Sequence, residues 1–450
     1  MKIAIVGAGY VGLVSGVCFA AKGHEVTCVD INSELVAQLN AGKAPIYERD
    51  FAELLQRALE AKTFGATTDM ISALDHSDVV IIAVGTPSKN EGIDLGPVLE
   101  VARGIGQYLS NHDRYLAVVV KSTVIPGTTD SAVRSEIEKA SGKQFPAFGL
   151  GMNPEFLREG EAVSDFMEPD RIVLGYEDER TLKLMEDLYA SWEADKIRVN
   201  TRTAELIKYA NNVLLATQIS AMNEVANLAD ALGGIDVMDV VRAIRLDNRW
   251  NPITEKGRLF PGILSYLLPG CGFGGSCLPK DIRALRSQGL GKGLPMHLLN
   301  AVSEINDAQP LQVIEIVERE IPDLSKRTIL VLGLAFKPGT DDVRESASLK
   351  IIQSLLEKKA RVFAHDPVAI GNFKAALGTS EKSVTFVQDW TSSVATADLI
   401  IVATAWPEYR ELAQMDLAGK VLFDARRMFE PSAITSGRYL SIGRRIAARR

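Results

Sequence analysis

Cysteine is scarce in this chain: 450 residues hold four, Cys18, Cys28, Cys271 and Cys277. Four thiols cannot staple a chain of this length, and none falls in a CxxC or Cys/His spacing. A disulfide framework and a metal site are therefore not expected, and a reducing compartment is. Long apolar runs are missing as well, so no segment reads as a membrane span. Met1-Lys2 leads straight into a strand-like run rather than into the apolar stretch of a secretion signal. These absences point to a cytoplasmic location and no membrane partner. There is no basic excess either. The net charge is −7, which argues against nucleic acid as a partner. Only Arg438 to Arg450 is basic, and that stretch reads as a solvated tail.

What is present is ordinary for a globular protein, 46% hydrophobic and 24% charged residues, with length enough for two or three cores. Ile3 to Val6 is a β-branched run. It is followed by Gly7-Ala8-Gly9-Tyr10-Val11-Gly12, a helix-like stretch Leu13 to Ala21, and a second strand Glu25 to Val29 ending in Asp30. This is G-x-G-x-x-G in the context the motif requires. Gly7 permits the tight turn, Gly9 the approach of a pyrophosphate and Gly12 the packing of helix on strand. Asp30 would accept from ribose hydroxyls and repel a 2′-phosphate, so the expected cofactor is NAD. Further strands at Val79 to Val84 and Ala117 to Val120 alternate with helices, as in a parallel doubly wound sheet. Thr86, before Pro87, and Thr123 follow strand ends, where they either touch a ligand or serve the turns. Asn153 is expected to cap a short helix with Pro154 at its first position. Glu155 and Glu159 would then share one face, either as working carboxylates or as acids favoured in a first turn.

From Thr203 to Leu232 the residues Leu206, Ala210, Leu214, Thr217, Ala221, Val225, Leu228 and Leu232 recur every three or four positions. That spacing predicts one helix roughly 45 Å long, suited to linking two domains or to a dimer contact. Lys208 and Asn212 lie one turn apart off this stripe, either facing a cleft or on a solvated face. Gly270-Cys271-Gly272-Phe273-Gly274-Gly275-Ser276-Cys277 then ends at a helix. Cys277 near unpaired N–H groups, with Lys280 close by, either attacks a bound carbonyl or is a small turn cysteine. A second alternating block begins at Thr328 to Leu332, with strands near Arg361 to Ala364, Leu399 to Val402 and Val421 to Phe423. Its first loop lacks G-x-G-x-x-G, which excludes a second dinucleotide site, while Lys337 and Arg344 remain able to meet phosphates.

In this order the blocks resemble the nucleotide-sugar 6-dehydrogenases, the UDP-glucose/GDP-mannose dehydrogenase family and its UDP-glucose branch above all. The resemblance rests on Gly7 to Gly12 with Asp30, Gly85-Thr86-Pro87, Ser122-Thr123-Val124, Asn153 to Leu157 with Glu159-Gly160, Lys208 with Asn212, Gly272 to Asp281, and Phe336-Lys337 with Arg344-Glu345-Ser346. It implies two doubly wound Rossmann-like α/β domains joined by a long central helix and a helical dimerisation region. The parts would be an NAD domain over 1–200, a central domain over 201–305 and a UDP-sugar domain over 306–450, in a homodimer or higher homo-oligomer. It further implies that a sugar C6 alcohol is oxidised twice, through a thiohemiacetal and thioester on Cys277. Lys208 and Asn212 would stabilise oxyanions, Glu155 would act as the base, and Asp281 and Thr123 would hold water. By the same resemblance the cofactor would meet Gly7, Gly9, Tyr10, Val11, Gly12, Asp30, Thr86, Pro87, Thr123, Glu159, Cys277, Lys280 and Arg344. The UDP-sugar would meet Glu155, Phe156, Leu157, Lys208, Asn212, Tyr266, Leu268, Gly270, Gly272, Phe273, Gly274, Phe336, Lys337 and Arg426. The family's arginine ahead of the glycine loop aligns with Pro261. Either Arg258 replaces it from a shifted register, or the contact is absent.

Overall fold

The computed structural model describes residues 1–89 and 92–445. The chain divides into two compact units, Met1–Asn211 and Asn212–Arg450. The first is built on an eight-stranded sheet. Its strand order is Asp195–Val199, Arg171–Tyr176, Gly149–Met152, Ala117–Val120, Val79–Ile82, Lys2–Val6, Glu25–Val29 and Phe64–Thr67. All pairings are parallel except that between Gly149–Met152 and Arg171–Tyr176. The central strands are runs of Val, Ile and Ala, and Val79–Ile82 and Ala117–Val120 are buried at every position, as a sheet covered on both faces demands. Chain order reverses between Lys2–Val6 and Val79–Ile82. The carboxyl ends of these strands therefore gather Gly7, Asp30 and Thr86 at the crevice where such sheets bind ligands.

One helix, Thr201–Leu232, carries the chain from the first unit into the second. The predicted apolar stripe is not its buried face. Leu206, Leu214, Val225, Leu228 and Leu232 are all exposed. Buried instead is a mixed face of Ala204, Glu205, Lys208, Tyr209, Asn212, Ala216, Ser220, Asn223, Ala226 and Asp230. Tertiary partners decide this. Within the first unit Glu205 accepts from the N–H groups of Gly127 and Thr129. Within the second, Asn223 accepts from Gly270 N–H and Asp230 from Gly443 N–H. A buried polar group is tolerated where it is bonded in this way.

The second unit carries a six-stranded parallel sheet in the order Val384–Phe386, Arg361–His365, Thr328–Leu332, Leu399–Val402, Val421–Asp424 and Arg438–Ser441. The basic stretch read as a tail begins as this sheet's edge strand, paired along Val421–Asp424; 446–450 lie outside the described residues. Gly333 repeats the turn of Gly7, each donating its N–H to the end of the neighbouring strand. Asp366 stands where Asp30 stands in the first sheet. It is buried, and its carboxylate is filled by the N–H groups of Leu334, Ala335, Val368 and Ala369 and by the Trp406 indole. An acid bonded so fully inside the protein has no capacity left for a ribose, in keeping with the missing second dinucleotide motif.

Candidate active site

In the first unit the glycine loop joins the strand Lys2–Val6 to the helix Tyr10–Ala21. Gly7 has φ +106°. A Cβ on Gly12 would lie 1.9 Å from the Gly7 carbonyl oxygen, so these two glycines are required by the fold. Gly9 differs. Its φ is −74°, and a Cβ there would meet no protein atom within 4 Å. Neither backbone conformation nor packing asks for glycine at that position, whereas the approach of a pyrophosphate does. Asp30 accepts from the Ala8 N–H at 2.8 Å and the Asn32 N–H at 3.0 Å. Tyr10 turns its hydroxyl to Glu48, a residue the sequence reading did not single out. Glu48 also takes the N–H groups of Gly160 at 2.7 Å and Ala162 at 3.0 Å, so it ties the glycine loop to the turn that holds Glu159. Thr86 donates to the Thr123 carbonyl at 2.9 Å, which joins the two loops beyond Val79–Ile82 and Ala117–Val120. Pro87 is exposed at the rim.

Residues 153–158 form no helix, contrary to the capping expectation. The Asn153 side chain is committed elsewhere. Its oxygen accepts from Lys121 Nζ at 2.7 Å and from the Tyr189 hydroxyl at 2.6 Å, and its amide donates to the Val173 carbonyl at 2.9 Å. An asparagine held by the sheet in this way cannot cap the following turn. Glu155 and Glu159 consequently share no helix face. Glu155 is buried and meets Lys208 Nζ at 2.8 Å, each side chain 5% exposed. It also accepts from Leu157 N–H at 2.7 Å. Burial alone would raise this acid. The charge and hydrogen bond of Lys208, with Leu157 N–H and the charge of Lys121, outweigh burial and hold Glu155 below its ordinary range. Phe156 stacks under the Arg171 guanidinium, 3.7 Å from ring centroid to Cζ. Lys208 is thus a buried ion-pair member rather than part of a solvated face.

In the second unit the loop 270–277 is held along its length. Phe273 is clamped by Asn306, which accepts its N–H at 2.8 Å and donates to its carbonyl at 3.0 Å. Arg426 donates to the Gly272 carbonyl at 3.0 Å and to Ala403 at 2.7 Å. Gly275 N–H reaches the Arg344 carbonyl at 2.8 Å. A Cβ on Gly274 would lie 2.3 Å from the Glu345 carbonyl oxygen, and one on Gly275 2.8 Å from the Phe336 ring. The glycines are therefore explained by close approach to the loop of the second sheet. Cys277 directly precedes the helix Leu278–Gly291 and is partly exposed. Its sulfur lies 3.5 Å from Ser276 Oγ, at the end where the helix dipole favours negative charge. Lys280 bonds Asp281 at 2.7 Å, and Asp281 also accepts from Asn212 at 2.7 Å. Cys271, in contrast, is fully buried, and burial pushes its thiol up; it is core filler. Lys337 lies over the Phe336 ring, and Arg344 forks onto Asp342. Tyr266 lies in a short helical turn, Gly262–Leu267, and Leu268 follows it, packed on the core. Arg258 donates to the Leu246 and Asn251 carbonyls, each at 3.0 Å, so in this chain its guanidinium braces a loop of the same unit.

Three domain models of one family match the chain. They are its NAD binding domain over residues 1–193, its central domain over 202–308 and its UDP binding domain over 330–431. TuaD, a UDP-glucose 6-dehydrogenase of Bacillus subtilis, is 39% identical over 98% of this chain and 93% of its own length. AglM, a UDP-glucose 6-dehydrogenase of Haloferax volcanii, is 38% identical over 95% of this chain and 97% of its own. A solved UDP-glucose dehydrogenase from the hyperthermophilic archaeon Pyrobaculum islandicum is 40% identical, with a TM-score of 0.89 over 98% of this chain and 97% of that one. With matches along nearly its whole length, this chain belongs to the UDP-glucose/GDP-mannose dehydrogenase family.

Proposed function

We propose that this enzyme oxidises the C6 alcohol of UDP-glucose to the carboxylate of UDP-glucuronate. The observation that carries the reading is the rigid loop 270–277, which sets a partly exposed cysteine at a helix start and is fastened to the second sheet. NAD, when bound, accepts a hydride at each of the two oxidations. Gly7, Gly9, Gly12 and Asp30 would hold it, with Tyr10, Val11, Thr86, Pro87, Thr123 and Glu159 around them; the family resemblance adds Cys277, Lys280 and Arg344. The UDP-sugar would lie against Phe273, Phe336, Lys337 and Arg426, with Tyr266 and Leu268 beside the loop.

The Cys277 thiolate attacks the C6 aldehyde and forms a carbon–sulfur bond. The thiohemiacetal carbon keeps its hydrogen, so a second hydride can leave and a thioester results. Lys208 donates to the oxygen that carries negative charge, assisted by Asn212. Glu155, ionised beside Lys208, takes a proton from the water that cleaves the thioester, while Asp281 and Thr123 hold that water. In this reading 1–200, 201–305 and 306–450 are the working parts. The exposed leucines of Thr201–Leu232 form the contact of a homodimer, since a face this apolar is stabilised by a second copy. A cytoplasmic location suits a catalytic thiol, and among the described residues no helix is long and apolar enough to cross a membrane.

The test is the number of NADH formed per UDP-glucose with sugar limiting. Two supports the full reaction; one means that it stops at the aldehyde. A substitution separates ligand approach from folding. Gly9→Ala is expected to melt within a few degrees of the wild type, the change corresponding to about 1 kcal/mol or less. It should nevertheless weaken NADH binding by at least about tenfold. Gly12→Ala should not fold stably. Fluorescence titration of NADH alongside thermal unfolding checks both, and unaltered affinity in Gly9→Ala would remove Gly9 from the cofactor site.

A further inference from the structure

Lys121 lies at the end of the strand Ala117–Val120 and is 3% exposed. A lysine withdrawn from water so completely needs a reason. Its bonded partner is neutral, the Asn153 side-chain oxygen at 2.7 Å. Asn153 is itself fixed by Tyr189 and the Val173 carbonyl. On its other side the Lys121 ammonium stands 5.4 Å from the Phe166 ring centroid. The titratable groups that act on Lys121 or on its anchor are Glu155 from the loop, Lys208 from the long helix and Tyr189, with the Cys18 thiol behind Tyr189. Burial draws Lys121 down to about 8, Glu155 opposes that, and Lys208 adds to it. Two cations and one carboxylate therefore share a dry interior. Charge counting makes one cation redundant while Lys208 sits on Glu155.

The redundancy disappears in turnover, on the reading that Lys208 serves the substrate's oxyanion. When Lys208 gives its hydrogen bonds to that oxygen, Glu155 loses its near partner while still buried. A buried carboxylate without a counter-charge takes up a proton. A protonated Glu155 cannot accept one from water. We propose that Lys121 is a positioning residue, a second buried cation anchored on Asn153 that keeps Glu155 ionised and in place when Lys208 turns to the substrate. It touches neither sugar nor cofactor and acts through Glu155.

The experiment is the pH dependence of kcat with UDP-glucose and NAD in Lys121→Met, beside the wild type. Removing the cation raises the pKa of Glu155, so the acid limb should move to higher pH by about one unit. KM for UDP-glucose should stay within about threefold while kcat near neutrality falls about tenfold. The lost step is hydrolysis, so rapid mixing should show a burst of two NADH per subunit before a slow steady state. Lys121→Arg, which keeps the charge, should restore the acid limb. If Lys121→Met gives no folded protein, Lys121→Gln, which can still donate to Asn153, is judged by the same shift. An acid limb that coincides with that of the wild type in the neutral variant overturns the proposal. A lysine that is merely structural would lower the yield of folded enzyme without moving that limb. Failure of the wild type to make NADH from UDP-glucose would instead sink the functional reading beneath it.

Discussion

Cys277→Ser is expected to lower uronate formation by on the order of a thousandfold or more with little change in stability. The stability half follows from how the loop is held. Asn306 grips the Phe273 main chain, Arg426 grips Gly272, and Gly275 N–H bonds the Arg344 carbonyl. None of these uses the sulfur. The activity half follows from the two tasks of that atom. A thiol is a far better nucleophile than a hydroxyl, so attack on the aldehyde slows. A serine ester is also a poorer acyl donor than a thioester, so release slows again. The first oxidation needs neither task, and some NADH without uronate is the expected signature. Intact-protein mass after incubation should show a sugar-nucleotide adduct on the serine variant if attack survives and release does not. Unchanged turnover would remove Cys277 from the chemistry.

How much of this was legible in the sequence depends on whether local pattern or distant partners set each feature. Strands such as Glu25–Val29, Ala117–Val120, Thr328–Leu332 and Leu399–Val402 were readable to the residue, because a parallel sheet covered on both faces needs a continuous apolar run. The glycine motif was readable because Gly12 answers to the Gly7 carbonyl earlier in the same loop and Gly7 to its own positive φ. Asn153 was misread because its capping potential is a local property, while Lys121 and Tyr189 reach it from 32 and 36 residues away. The same cause reversed the long helix. Its apolar periodicity is real, yet the inward face is chosen by Glu205, Asn223 and Asp230 finding main-chain donors far along the chain. Leu206, Leu214 and Leu228 are left exposed as a result. Lys121 and Glu48 were not singled out at all. A lone lysine after a strand and a lone acid in a polar loop carry no spacing signal, and only burial and bonding distinguish them from solvated charges.

Glu155 and Lys208 allow stability and catalysis to be separated. Breaking a buried ion pair from one side leaves a charge without its partner and costs about 3 kcal/mol or more. Both Glu155→Gln and Lys208→Met should therefore unfold at lower denaturant than the wild type. The double variant buries no unmatched member of the pair and should recover most of that loss, a coupling of about 2 kcal/mol in a double-mutant cycle. Catalysis should not recover. On the proposed mechanism each single variant loses either the base for hydrolysis or the donor to the oxyanion, worth about a hundredfold or more in kcat, and the double lacks both. The pH dependence has a definite sign. Glu155 is held below its unfolded pKa, so its contribution is present above the ordinary carboxylate range and is lost as pH falls through its folded value. Glu155→Gln should flatten that acid-side decline, because no proton is left to take up there. Denaturant titrations at several pH values, run beside steady-state rates, measure all of this on the same proteins. A double variant that regained turnover along with stability would mean the pair only braces the fold, and the base and the oxyanion donor would have to be sought elsewhere.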